Sequence, residues 1–317
     1  MTTTSFTAAR DTFDIWTDWL GDPDPQDNRL ALGRGFEHVS IAPETVTLLG
    51  GMPGAGKTAL ACQWVITAME ADPTLKALIA NVEMPSRELL NRQLARLSGL
   101  SLTQVRERQF DEGNLYQRDE ALDRLEPLCE RLTFLDAPFS MANLIATSSE
   151  TQARLIVVDY TQRFGALDDS PDRRQTINSV MDTLRTMANL GAAVVVLSSL
   201  SRSRDARGRS TYDASSISLA SFKESGELEY GTDDALLLCP HLDSDLVDLK
   251  HEKSRYGERR DLVLAFDRPH QAFTVVGADG GSSTTSQRHP QEQRTSATPP
   301  EILAQILAAR RRGVSHD

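Results

Sequence analysis

The chain has 317 residues, 39% of them hydrophobic and 25% charged, a globular composition with length for one large domain or two small ones. Its 45 acidic residues against 34 Lys and Arg give a formal net charge of -11, which excludes a protein that coats nucleic acid through bulk charge. Three cysteines, Cys62, Cys129 and Cys239, lack paired spacing; this excludes a disulfide scaffold or a four-ligand zinc site and fits buried apolar thiols in a reducing cytoplasm.

No apolar run reaches the roughly 18 residues that span a bilayer, and Met1 to Asp11 lacks the layout of a secretory leader, so no membrane association and a cytoplasmic location are expected. The first element is a short helix, Phe13 to Leu20 (FDIWTDWL), followed by the turn-rich linker Gly21 to Asn28, so residues 1–30 form an arm and linker. That arm either packs on its own domain or docks its two Trp residues on a neighbouring copy.

Over residues 31–277 short β-branched runs alternate with helical patterns. The runs are Val46 to Leu49, Ala77 to Val82, Leu132 to Leu135, Leu155 to Val158, Ala193 to Leu197, Ala235 to Leu238, Leu246 to Leu249 and Leu262 to Phe266. Runs this apolar, lacking alternation, predict strands covered on both faces in a mostly parallel sheet. The last of them have short connections and predict an antiparallel edge. Residues 278–317 cannot bury enough apolar surface to fold alone and are expected to be disordered up to a short helix capped by Thr298-Pro299-Pro300-Glu301; that helix is a frayed tail or a partner-binding peptide.

The densest chemistry follows the first of these strands. Gly51-Met52-Pro53-Gly54-Ala55-Gly56-Lys57-Thr58 fits the G-x-x-x-x-G-K-[ST] pattern between a strand and the helical run Ala59 to Glu70. Glycines let backbone N–H groups converge on a polyphosphate, and the helix N-terminus adds partial positive charge. Gly51, Pro53, Gly54, Ala55, Gly56, Lys57, Thr58 and Ala59 are the expected cradle, with Lys57 on the β- and γ-phosphates and the Thr58 hydroxyl on Mg²⁺.

Asp159, at the end of Leu155-Ile156-Val157-Val158, is the expected second Mg²⁺-linked group. Residue 160 is Tyr, so the hydrolytic base must come from another strand end, and Glu83 after Asn81-Val82 is placed where it can polarise an attacking water. The same carboxylate could instead cap the helix beginning at Pro85-Ser86.

Together these segments resemble the C-terminal motor domain of DnaB-type replicative helicases, an α/β RecA-like P-loop NTPase, over about Val46 to Val276. VEMPSRELLNRQLARLSG looks like the family's glutamate-bearing segment, LIVVDYTQ its Walker B strand and VVVLSSLSR its L-S-Q-L-x-R sensor strand. SFKESGELEYGTDDALLL is similar to the R-E-S-G-x-I-E-x-D-A-D segment, and KSRYG to K-x-R-x-G. The resemblance implies a hexameric ring that hydrolyses ATP between subunits and translocates on single-stranded DNA, with a loader or primase as further partner.

Carried over by position, Lys253 and Arg255 are the basic pair offered to the neighbouring subunit's γ-phosphate. Near the end of a late strand they should lie far from their own cradle. The family's pore loops match Ser201 to Arg209, where Arg202, Arg204, Arg207 and Arg209 face one acid, Asp205, and suit phosphate tracking. A second loop, Arg163 to Arg174, mixes both signs. Two departures stand out: Ser199 occupies the usual Gln position of the sensor strand, and the residues before Val46 are expected to be too few for the family's N-terminal collar domain. These favour a second reading, a RecA-like ATPase acting as a loader or regulatory switch. A small-molecule P-loop kinase is a third, disfavoured because no substrate lid is recognisable.

Overall fold

A computed structural model describes residues 9–21, 28–159, 164, 173–199, 203–204, 210–211 and 231–277. The chain divides into two units, one spanning residues 29–281 and one holding the N-terminal helix α1 (Ala9–Leu20). Within α1, Phe13 and Trp16 pack with ring centroids 5.7 Å apart, and Trp16 is exposed. Residues 22–27 of the expected linker and the tail from 278 onward lie outside the described residues.

The larger unit is built on a nine-stranded sheet. Its parallel part comprises β1 (Val46–Gly51), β2 (Ala77–Asn81), β3 (Leu132–Phe134), β4 (Leu155–Asp159), β5 (Ala193–Ser199) and β8 (Asp234–Pro240). The two short strands between, β6 (Ser203–Arg204) and β7 (Ser210–Thr211), pair with each other outside this sheet. From β8 the sheet continues antiparallel through β9 (Leu246–Ser254), β10 (Leu262–Asp267) and β11 (Ala272–Val275). Across the sheet the order is β11-β10-β9-β8-β1-β5-β4-β2-β3. All six residues of β1 and all five of β2 and β4 are buried, as unbroken apolar runs between two helical layers require.

One layer, formed by α2 (Lys57–Ala71), α3 (Ser86–Ser98) and α5 (Leu115–Cys129), shares its core with Leu49, Ile79, Val157 and Val195. The other, formed by α6 (Met141–Thr151) and α7 (Arg173–Asn189), packs on Leu48, Leu78, Ile156 and Val194. Alternate residues of the same strands thus feed opposite layers. The short α4 (Leu102–Glu107) carries a capping box, with Ser101 and Gln104 bonding each other's backbone N–H.

Four expectations are corrected. The strand after Asp245 runs to Ser254 rather than stopping at Leu249, because Val247, Leu249 and His251 alternate inward although the stretch reads as polar. A further strand at 272–275, AFTV, has no expected counterpart; only Phe273 of its four residues is buried. Arg173 and Arg174 open α7 rather than closing a loop. Cys129 is exposed at the end of α5, whereas Cys62 and Cys239 are buried as expected.

Candidate functional site

Parallel pairing brings the carboxyl ends of four strands to one edge. Gly51 at the end of β1 pairs with Ser199 of β5, and Asn81 at the end of β2 pairs with Asp159 of β4. Ligands of open α/β sheets bind along this edge, and a cavity of about 540 Å³ opens there. Pro53, Gly54, Gly56, Lys57, Thr58 and Ala59 line it, together with Glu83, Asp159 and Ser199. Of the eight cradle positions, Gly51 and Ala55 stand behind the cavity instead: a Cβ on Gly51 would lie 2.9 Å from the Leu238 carbonyl oxygen, and Ala55 is fully buried.

Gly54 and Gly56 have φ of 79° and 95°, so the loop turns through the left-handed region before α2 begins. Open space surrounds the Gly54 Cβ position, whereas a Cβ on Gly56 would meet Phe273 Cζ at 2.6 Å and Phe266 Cε1 at 2.9 Å. Those two rings lie parallel, 4.1 Å apart, and buttress the loop from β10 and β11. Gly56→Ala is therefore expected to destabilise the fold by about 1–3 kcal/mol and to weaken nucleotide binding. Denaturant unfolding followed by nucleotide titration checks it.

Lys57 is buried, and its ammonium donates to the carbonyls of Gly51 at 2.9 Å and Met52 at 3.1 Å. Burial lowers its pKa, opposed by the negative charges of Asp159 and Glu83. The Asp159 Oδ2 accepts from Thr58 Oγ1 at 2.5 Å and from Asn81 Nδ2 at 2.6 Å. Burial pushes the Asp159 carboxyl up to about 6 against the pull of the Thr58 hydroxyl. One carboxylate beside one hydroxyl, under a loop of backbone donors, suits Mg²⁺, which keeps several waters and takes its other ligands from phosphates. Among the described residues no group of three His, Cys, Asp or Glu gathers to form an all-protein metal site.

Glu83 is exposed at the cavity wall and does not cap α3, whose N-cap is Pro85 without a side-chain bond. Instead Asn81 Oδ1 accepts from the backbone N–H of Glu83 at 3.0 Å and of Met84 at 2.7 Å. Asn81 therefore ties the Glu83 backbone to the Asp159 carboxylate through one buried amide. This role was not anticipated, though an Asn ending an apolar strand beside a candidate base was the available signal. Arg92 of α3, Phe266 of β10, and Arg268 and Gln271 of the turn between β10 and β11 also line the cavity and were unforeseen. Arg92 donates to Gln271 at 2.8 Å, and Arg268 donates to the Gly54 carbonyl at 3.1 Å while lying over the Phe266 ring.

Lys253 and Arg255 fall at the opposite edge. Lys253 pairs with Ala235 near the start of β8, and Asp233, which holds Arg255 at 2.9 Å, donates its N–H to the carbonyl of Val46, the first residue of β1. The length of β1, about 16 Å at 3.3 Å per residue, separates them from their own cradle. Of the arginine-rich loop, β6 and β7 supply one antiparallel pairing, Ser203 with Thr211 and Arg204 with Ser210. Arg202, Arg207 and Arg209, and the Arg204 side chain, lie outside the described residues.

Residues 38–275 match the model of the DnaB-like helicase C terminal domain. A probable plasmid replicative DNA helicase of Chlamydia trachomatis is 24% identical over 248 residues, 75% of this chain and 52% of that protein. The replicative DNA helicase DnaB of Buchnera aphidicola is 24% identical over 270 residues, 79% of this chain and 54% of that protein. The chain thus spans about half the length of these curated relatives. Among solved structures, a DnaB-like replicative helicase described with its interactions with primase superposes with a TM-score of 0.69 at 18% identity, covering 85% of this chain and 67% of that one. A separately solved ATPase domain superposes at 0.72 and 18% identity, covering 85% and 99%. These likenesses show a shared RecA-like fold.

Proposed function

Because the chain belongs to the DnaB-like helicase C-terminal domain family, we propose that it is an ATP-driven motor on single-stranded DNA, working as a ring of identical subunits that is hexameric as in that family. The observation that carries this reading is the division of one catalytic set between opposite edges of the sheet. Cradle, base and metal-binding pair line one edge, while Lys253 and Arg255 stand at the other. A ring closes that distance by apposing the edge of one copy to the cradle of the next.

In this mechanism Lys57 leaves the Gly51 and Met52 carbonyls to meet the β- and γ-phosphates of ATP. Thr58 and Asp159 would hold Mg²⁺, which would supply positive charge against that developing on the phosphates. Glu83, its backbone anchored by Asn81, orients a water and accepts its proton as the oxygen attacks the γ-phosphorus in line and the bond to the β–γ bridging oxygen breaks, with ADP as the leaving group. Arg255 of the adjoining copy stabilises the equatorial oxygens, a contribution on the order of 10³ to 10⁵ in rate. Single-stranded DNA is the proposed track and a loader or primase a proposed partner, in keeping with the primase named for one structural relative. No helix among the described residues is long and apolar enough to cross a membrane; a cytoplasmic site of action is part of the proposal.

The reading as a loader or regulatory switch draws support from Ser199, which lines the cavity with a side chain too short to bridge as the family's Gln does. Replacing Arg202, Arg204, Arg207 and Arg209 with Glu separates the two. A motor loses its salt-dependent binding to single-stranded DNA and the stimulation of ATP turnover by that DNA. Unchanged binding across a salt series would leave the switch as the function.

A further inference from the structure

Arg255 does not hang free at its edge. Its Nη1 donates to Asp233 Oδ1 at 2.9 Å, and the Asp233 side chain is fully buried although that of Arg255 is 53% exposed. The other carboxylate oxygen, Oδ2, accepts from the Val46 N–H at 2.8 Å and from Arg185 Nη1 at 2.7 Å. Arg185 reaches from α7 and also donates through Nη2 to the Gly231 carbonyl at 2.8 Å. Lys253 Nζ donates to the Thr232 carbonyl at 2.7 Å. Both cations of the pair are thus held by the same three-residue turn, Gly231 to Asp233, itself fastened to the first residue of β1.

The sheet does not need the bond to Oδ1. Val46 and Arg185 donate to Oδ2 and already secure the turn, so the bond that the half-exposed Arg255 donates to Oδ1 is additional to those that fasten the sheet. One carboxylate between two guanidiniums also leaves a surplus positive charge, and the more exposed of the two is Arg255. Burial alone would raise the Asp233 carboxyl, but the bonds from Arg185, the Val46 N–H and Arg255 outweigh it and hold the group below the usual carboxylate range. Anchoring one nitrogen of a long side chain removes rotamer freedom before any ligand arrives, which lowers what ordering costs at the binding step.

We propose that Asp233 is a positioning residue for the trans cation: with Arg185 and Val46 fixing its carboxylate, it aims the remaining N–H groups of Arg255 at the phosphate of a nucleotide held by a second copy. This rests on the reading of Arg255 as acting between subunits, and the test separates the two. In the first arm, Lys57→Ala chains are mixed with Arg255→Ala chains in the presence of ATP and single-stranded DNA. Regained turnover supports action between copies; no regain overturns that reading and the role of Asp233 with it.

In the second arm, the Lys57→Ala donor also carries Asp233→Asn. Regained turnover should fall about 10- to 100-fold with the KM for ATP unchanged, because the cradle belongs to the other copy. A regain equal to the first arm's, from a donor that assembles, overturns the positioning role alone. Should Asp233→Asn fail to assemble, Arg255→Lys in a Lys57→Ala donor that keeps Asp233 decides, since an ammonium cannot bond Asp233 and a phosphate as a planar fork does. Turnover equal to that with arginine would overturn the proposal, and a comparable loss at unchanged KM would support it.

Discussion

Lys57→Ala should lower kcat/KM for ATP by about 10³-fold, equivalent to about 4 kcal/mol of transition-state stabilisation. The structure explains why so much rests on one side chain. Lys57 is buried at the mouth of α2, where burial lowers its pKa against the opposing negative charges of Asp159 and Glu83. Its ammonium donates to two carbonyls of its own loop, which the proposed mechanism exchanges for phosphate oxygens. Alanine is a good helix former at the first residue of α2, and the fold should survive. Steady-state ATPase assays with nucleotide titration, on protein whose unfolding midpoint matches the parent, make the measurement. Retained turnover would remove the loop from the chemistry.

Glu83→Gln should separate binding from hydrolysis. The replacement keeps the length of the side chain and leaves the backbone bonds to Asn81 Oδ1 untouched, so nucleotide affinity should change little. Turnover should fall by about 10²- to 10⁴-fold, the range for loss of a general base. Equilibrium nucleotide binding and single-turnover hydrolysis measured on the same preparation distinguish the two effects. A variant hydrolysing at the parental rate would move the base elsewhere along the strand ends.

The parallel half of the fold was legible because its signals are local and strong. VTLL, ALIAN and LIVVD are short, apolar and bounded by turns, and a strand buried on both faces can hardly be written otherwise. The P-loop spacing is equally local. The antiparallel edge was readable only in outline, since LVDLKHEKS buries Val247, Leu249 and His251 and leaves the residues between them half-buried, which hides a nine-residue strand in a polar stretch.

Contacts far apart in the chain were beyond reach. Nothing near Asn81 announces a bond to a carboxylate 78 residues later, and nothing near Asp233 announces Arg185 48 residues earlier. His251 likewise reads as a surface residue, yet it is buried beside Asp234 with Nε2 2.9 Å from Oδ1. Pairs of this kind are created by strand register, which is settled by the sheet as a whole.

The wall that Phe266, Phe273 and Arg268 raise against the P-loop also bears on the order of events during synthesis. Gln63, on the helix that follows the loop, exchanges hydrogen bonds with both the carbonyl and the N–H of Phe273, 210 residues downstream. The loop acquires this far support only once the final hairpin has been made and docked. If the loop binds nucleotide as proposed, that capacity is therefore complete only when nearly all of this unit has been made.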